Sequence, residues 1–297
     1  MQAETLLSDL SHHGLIKVYG DDAESFLQNQ LTNDVRNVTD NGYQINAWCS
    51  PKGRIIATFR VFKREDAFFL SLSQDLLEHV IKKLSMYVMM SKVTIEDATQ
   101  SLAHIGISGD RAENELAGLS DNLTTLNITG TVPRFEIFGE EKEPKALEVL
   151  VEKIKAAPEN HWDYLNILAG LPTISQASSE AWIPQMVNFI AVDGVDFKKG
   201  CYPGQEIVAR LNYLGKTKRR MYHIQINTSE LPAIGDAISS ENTNDAGKIL
   251  NAVINPDGKV EALAVLKIAE ADHSLTLANN NEATITLFDL PYSVDDS

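Results

Sequence analysis

Lys198-Lys199-Gly200-Cys201-Tyr202-Pro203-Gly204-Gln205-Glu206-Ile207-Val208-Ala209-Arg210 gathers a thiol, two lysines, two glycines, a proline and an adjacent amide and carboxylate into one run. The pattern predicts extended chain over residues 195–198, a tight Gly/Pro loop, and a helix starting near Pro203 or Gly204. Proline is tolerated in a first helical turn because the N–H it lacks has no partner there anyway. Cys201 would then stand just outside a helix N-terminus, where unpaired N–H groups and the aligned peptide dipoles favour an anion. Lys198 and Lys199 reinforce that field, which favours thiolate over thiol. A free cysteine is also commonly no more than a small buried apolar residue. Two readings of Cys201 therefore stand side by side: a reactive thiol helped by Lys198, Gln205, Glu206 and Arg210, and a structural side chain.

The run Lys-Gly-Cys-Tyr-Pro-Gly-Gln-Glu with the trailing Val208-Ala209-Arg210 closely resembles the signature of the YgfZ family, folate-binding relatives of the glycine-cleavage T-protein. Further segments agree: Phe26-Leu27-Gln28-Asn29-Gln30-Leu31-Thr32-Asn33-Asp34-Val35, Pro51-Lys52-Gly53-Arg54, Ile183-Pro184-Gln185 and Leu290-Pro291-Tyr292-Ser293. The resemblance implies a bacterial factor that supports iron–sulfur enzymes, including those that modify tRNA, and that binds a folate. Its partners would be the folate together with iron–sulfur enzymes or their assembly proteins. Trp162 matches one tryptophan associated with folate in the family, and the second such position falls on His13. The T-protein relatives also use an aspartate in a Gly-Gly-x-x-Asp-Asp-like strand. Aligned on Gly53-Arg54-Ile55-Ile56, that strand here carries Ala57 and Thr58 instead. Without a carboxylate the folate amine is not polarised, and kinship of fold is not evidence of shared catalysis. A folate-dependent one-carbon transferase and a non-catalytic folate-binding scaffold remain as alternatives to the accessory factor.

Composition bounds these readings. The chain has 297 residues, 43% of them hydrophobic, enough for a sizeable core and for two domains or three small ones. The sequence shows no signal-type leader and no run of some eighteen apolar residues, so a cytoplasmic protein without membrane spans is expected. Two cysteines, Cys49 and Cys201, make neither a disulfide framework nor a four-thiolate metal site. His12-His13 is a pair without a third convergent ligand, and no metal site is expected. A net charge of −15 weighs against a broad nucleic-acid surface, because phosphate binding relies on clustered Lys and Arg, so any link to tRNA is expected to be indirect. Lys216-Thr217-Lys218-Arg219-Arg220 is the local exception, read either as a solvated linker or as a clamp for an anionic ligand tail.

Along the chain, strands and helices alternate without the regular order of a doubly wound sheet, which predicts an α+β region over 1–215. Residues 15–20 read as a strand, followed by a helix capped by Asp21 with Glu24 completing a capping box. Two strands flank the turn Ser50-Pro51-Lys52-Gly53 as a hairpin. Ser73 is placed as the cap of a helix carrying Leu76, Leu77, Val80, Ile81 and Leu84, and a strand follows over 92–96. A helix is expected from Pro144 to Ala156 with Leu147, Leu150, Val151 and Ile154 inward, and another over 162–169 ending at Gly170. Over 216–297 six short strands with almost no helix predict a small antiparallel β-barrel domain.

Overall fold

A computed structural model describes residues 3–40, 42–117, 122–140 and 144–294, without the side chains of 144–148. By contacts the chain divides into two compact units, neither of them a continuous stretch. The first is Met1–Asn29, Asp34–Asn46 and Phe59–Trp162; the second is Gln30–Asn33, Ala47–Thr58 and Asp163–Ser297.

In the first unit, one sheet runs in the order Lys155–Ala156, Leu6–Asp9, Leu102–Ser108, Arg134–Glu140, Thr124–Asn127, antiparallel except for the outermost pair with Leu6–Asp9. Side chains alternate between the faces of a strand, and here the two faces differ in kind. Leu7, Ile107, Phe135 and Ile137 meet Leu150 and Ile154 in an apolar core. The intervening residues His104, Gly106, Ser108, Arg134 and Glu136 line the other face.

The helix expected to run to residue 156 ends at Lys153, and Lys155–Ala156 pair with Leu6 and Leu7 instead. Val151 is exposed rather than inward: the helix meets the sheet along a narrow stripe, and Leu150 and Ile154, four apart, already fill it. Leu147 lies outside the described side chains.

A second sheet has the order Tyr43–Cys49, Ile55–Arg64, Ala67–Ser73, His13–Tyr19, Thr94–Asp97, and the division between the units falls inside its first two strands. The expected hairpin is present, closed by Gly53 N–H donating to Ser50 O at 2.8 Å. Three local expectations are corrected here. The helix Ala23–Gln28 is preceded by Asp22, not Asp21, as its cap residue. The Asp22 carboxylate accepts from the Lys92 N–H at 2.8 Å, and Asp21 pairs with Lys92 Nζ at 2.9 Å. Lys92 is thereby held by the two aspartates, and the strand begins at Thr94. Ser73 stands before a short 3-10 turn and donates to Asp75 Oδ1 at 2.7 Å, making no cap bond to backbone.

The second unit contains all six expected strands, closed into a barrel in the order Arg219–Ile226, Val260–Lys267, Gly247–Ile254, Ala237–Ser240, Leu275–Leu277, Asn280–Phe288. Ile224, Ile226, Ile249, Val260, Ala262, Ala264 and Leu266 fill its interior at two-residue spacing. The Asn255-Pro256-Asp257-Gly258 link turns between two of these strands, with Gly258 at φ +78° supplying the left-handed position that a side chain resists. Closure leaves this sheet without an open edge.

Candidate functional site

Segments far apart in sequence converge on the signature loop within the second unit. Thr32 Oγ1 donates to Gly194 O at 2.7 Å, and the Asp196 N–H donates to Thr32 O at 3.0 Å. The Lys199 side chain is buried and its Nζ donates to Leu31 O and, at 2.8 Å, to Asn33 O. Hydrogen bonds from a charged donor contribute about 1.5–3 kcal/mol each, so this lysine is a tether for the loop. Its ammonium also lies 5.4 Å from the centre of the Tyr202 ring, within the range of a cation–π contact. Gln185 Nε2 reaches the Val208 carbonyl of the following helix at 2.7 Å.

The turn before that helix is packed backbone to backbone. Gly204 sits at φ +81°, and a Cβ there would lie 2.4 Å from Ser50 O. No residue but glycine fits both the conformation and the approach. The helix spans Gln205–Leu214 with Gly204 as its cap residue, one or two residues later than the proline suggests.

Between the anchored Lys199 and the buried Tyr202, Gly200 and Cys201 project outward; nothing approaches Gly200 and the thiol is exposed. Cys49 is its opposite: burial pushes that thiol up to about 12. Tyr202 is held protonated by burial first, and then by the nearby Cys49 and Asp196. Lys198 is exposed, with its backbone N–H on Asp196 Oδ1 at 2.6 Å. Gln205 is half-buried, and Glu206 and Arg210, one helical turn apart, are exposed. The expected residues are thus sorted by position: Lys199 and Tyr202 hold the loop from beneath, and Lys198, Cys201, Glu206 and Arg210 face solvent.

Trp162 and His13 belong to a separate constellation in the first unit, centred on a carboxylate that the sequence did not mark. Glu136 is fully buried, yet Arg60 Nη1 lies 2.9 Å from its Oε1 and Trp162 Nε1 donates to the same oxygen at 3.2 Å. His104 Nε2 faces Glu136 Oε2 at 3.4 Å without the alignment of a hydrogen bond, and both atoms lack a hydrogen-bond partner among the described residues. Burial opposes the charge on Glu136, but Arg60 and His104 hold its carboxyl well below the usual carboxylate range.

Trp162 is only 1% exposed. The Arg134 guanidinium carbon lies 5.3 Å from the centre of its ring, and a Cβ at Gly106 would come within 2.6 Å of its Cζ3. Glycine at 106 therefore makes the room in which the indole lies on the sheet. The His13 ring packs edge-on to His104 with centroids 5.6 Å apart, and burial, then His104, pushes its pKa down. His13 keeps a partly exposed edge.

Glu136 is inconspicuous in the sequence because an acidic residue in a strand reads as solvent-facing. The available signal was Arg134 two residues earlier on the same face, a charged pair interleaved with Phe135, Ile137 and Phe138.

Comparisons with known proteins agree with these features. A family described as the GCVT N-terminal domain matches residues 1–131. The solved structure of the glycine cleavage system aminomethyltransferase T from Bartonella henselae superposes with a TM-score of 0.75 at 16% identity, covering 98% of this chain and 86% of that one. The protein is therefore of the GcvT-like fold class, with mixed helix and sheet and a closed six-stranded barrel.

Within that class, the "tRNA-modifying protein YgfZ" of Photobacterium profundum is 34% identical over 98% of this chain and 92% of its own length. Those of Colwellia psychrerythraea and Yersinia pestis are 31% and 32% identical, again over 98% of this chain and over 94% and 93% of their own lengths. The chain belongs to the YgfZ family.

Proposed function

We propose that the protein is a folate-binding accessory factor for the assembly or repair of iron–sulfur enzymes, supporting tRNA modification indirectly and using Cys201 as its reactive thiol. The observation that carries this reading is the outward-facing Cys201 on a loop pinned by Lys199 to Leu31 and Asn33. A merely structural cysteine would be expected inside, as Cys49 is. Lys198, Gln205, Glu206 and Arg210 would be the helpers of Cys201, the first, third and fourth of them exposed as the thiol is.

The relatives' name, tRNA-modifying protein YgfZ, supports the link to tRNA modification, and the net charge of −15 supports an indirect one. One cysteine cannot complete an iron–sulfur site, so a nascent cluster would be cargo sharing its ligands with a client enzyme or assembly protein. No helix among the described residues is long and apolar enough to cross a membrane, and a cytoplasmic setting is part of the proposal.

For the folate, the residues that would hold it are Trp162 and His13 together with Glu136. The fit rests on the Glu136 Oε2 and His104 Nε2 atoms that are buried without hydrogen-bond partners, since such groups call for a partner. When bound, a pterin supplies a flat ring with adjacent N–H donors. Glu136, held ionised, would accept from those donors, and His13 would cover the ring from its partly open edge.

One-carbon transfer is not part of the proposal. Ala57 has no acid, and Thr58 Oγ1 is engaged in accepting the Ile174 N–H at 3.1 Å.

The test is rescue of iron–sulfur enzyme activity in cells lacking the protein, by Cys201→Ala at matched protein level, with folate binding measured in parallel. The expected outcome is retained folate binding and failed rescue. Full rescue by the folded variant would leave the scaffold reading in its place.

A further inference from the structure

The helix Gln205–Leu214 buries one side through Val208 and turns large apolar side chains outward on the other. Ile207 is 42% exposed, Tyr213 67% and Leu214 84%. At helical spacing Ile207, Arg210 and Leu214 form one stripe, with Glu206 and Tyr213 along its edge; all five are exposed. A single apolar residue on a surface needs no explanation, whereas three gathered on one helix face have the composition of a contact surface.

Other segments of the same unit extend this face. A Cβ at Gly53 would lie 3.1 Å from Ile207 Cβ, so the turn with the exposed Pro51 and Lys52 sits against the first half of the helix. Toward the other end the Phe197 ring meets Tyr213 edge-on, with centroids 5.7 Å apart. The chain therefore runs back from Phe197, beside the last turn of the helix, to the helix start at Gln205, and Cys201 lies within that span. Charge here opposes that of the chain as a whole. Asp and Glu outnumber Lys and Arg by 41 to 26, yet Lys52, Lys198, Arg210 and Lys216 are exposed on these segments, none of them in an ion pair among the described residues. The acids on the same segments are Glu206 and the half-buried Asp196, whose carboxylate accepts the Lys198 N–H.

We infer that this face docks a partner protein whose contact surface is an apolar ridge flanked by Asp and Glu, an inference that rests on the reading of Cys201 as a thiol serving another protein. Ile207, Tyr213 and Leu214 form the centre of the contact, where desolvated anchors carry the affinity. The four cations form its rim, where charge governs encounter and the choice of partner. A nucleic acid would use the cations but leave Ile207 and Leu214 in water, and four cations are few for phosphate binding.

Fluorescence anisotropy on the full chain tests the face with a labelled amphipathic peptide of Glu and Leu, its Leu residues at i, i+3, i+4 and i+7, and with the same peptide carrying Lys in place of Glu. Saturable binding of the acidic peptide is expected, with the basic one weaker by roughly tenfold or more. The bound acidic peptide should also slow alkylation of Cys201 by iodoacetamide. Leu214→Ser and Lys52→Glu, both at exposed positions, should each weaken the acidic peptide severalfold without moving the melting temperature. An acidic peptide that fails to saturate by roughly 1 mM, equal binding of the two peptides, an unprotected Cys201, or variants that bind as the parent does would each overturn the inference. Displacement of the peptide by a single-stranded RNA oligonucleotide, or a parent chain that sediments as a dimer which Leu214→Ser dissociates, would give the face another occupant and overturn it equally.

Rescue of iron–sulfur enzyme activity in cells lacking the protein separates this inference from the thiol reading. Leu214→Ser is expected to fail as Cys201→Ala does, although its Cys201 alkylates at the parent rate. Full rescue by Leu214→Ser beside failure of Cys201→Ala would overturn the docking face alone; full rescue by Cys201→Ala would overturn the thiol reading, whatever the peptide does.

Discussion

Cys201 and Cys49 have the same side chain in opposite surroundings, and that contrast can be measured directly. Cys49 is buried with its thiol pushed up to about 12, and Cys201 faces solvent. At neutral pH iodoacetamide should therefore alkylate Cys201 faster by on the order of a hundredfold, since the thiolate is the nucleophile and access limits it. Peptide mapping against time gives both rates, and equal rates would remove the basis for a reactive Cys201.

Acid titration probes the other constellation. Glu136 has a carboxyl depressed below its ordinary 4.5, so its contribution to stability is present above that value and is lost as the pH falls. His13 is depressed by burial from 6.5, so below that pH the unfolded chain takes up a proton that the folded one refuses, which also lowers stability. Both signs agree. The melting temperature should begin to fall below pH 6.5 and fall further below pH 4.5, and His13→Gln should flatten the first stage. Glu136→Gln should cost about 3–5 kcal/mol in urea unfolding, because it leaves Arg60 facing a neutral group in a buried setting.

At the scale of elements, two glycines decide what the strands and turns can carry. Gly204 lets the signature turn lie against Ser50, and Gly106 leaves the surface on which Trp162 lies; a methyl group at 106 would need the indole to move from a contact of 2.6 Å. Gly106→Ala should destabilise by about 1–3 kcal/mol, the usual cost of overpacking. It should also blunt any rise in melting temperature produced by a reduced folate, and Trp162→Ala should abolish most of that rise. An unchanged rise in both variants would take Trp162 out of the folate site.

The sequence displayed much at this scale, because strand alternation, Gly/Pro turns and the barrel's short runs are local signals. It failed where a long-range partner took over a residue. Lys92 was drawn from its strand by Asp21 and Asp22, and Lys199 is anchored on carbonyls of Leu31 and Asn33. Backbone acceptors of that kind have no letter in the sequence. Cys201, Lys198, Trp162 and His13 could be singled out from residue type and resemblance. Glu136 and Arg60 could not, because their meaning depends on what packs against them.

For the molecule as a whole, the order in which the chain is made matters, because the second unit is assembled from early and late segments. The carbonyls of Leu31 and Asn33 wait for Lys199, which follows 168 and 166 residues later. Closing so long a loop before its contacts can form slows folding. On a ribosome, residues 30–33 emerge well before the loop that will complete them, so the environment of Cys201 cannot be built until the segment around Lys199 has followed. In refolding from denaturant, Cys49 should become resistant to alkylation in a slow phase, together with burial of Tyr202, while first-unit probes such as Trp162 settle earlier. A half-made chain would thus hold no finished thiol site, and residues 30–33 would wait, with their carbonyls unclaimed, for a lysine made more than 160 residues later.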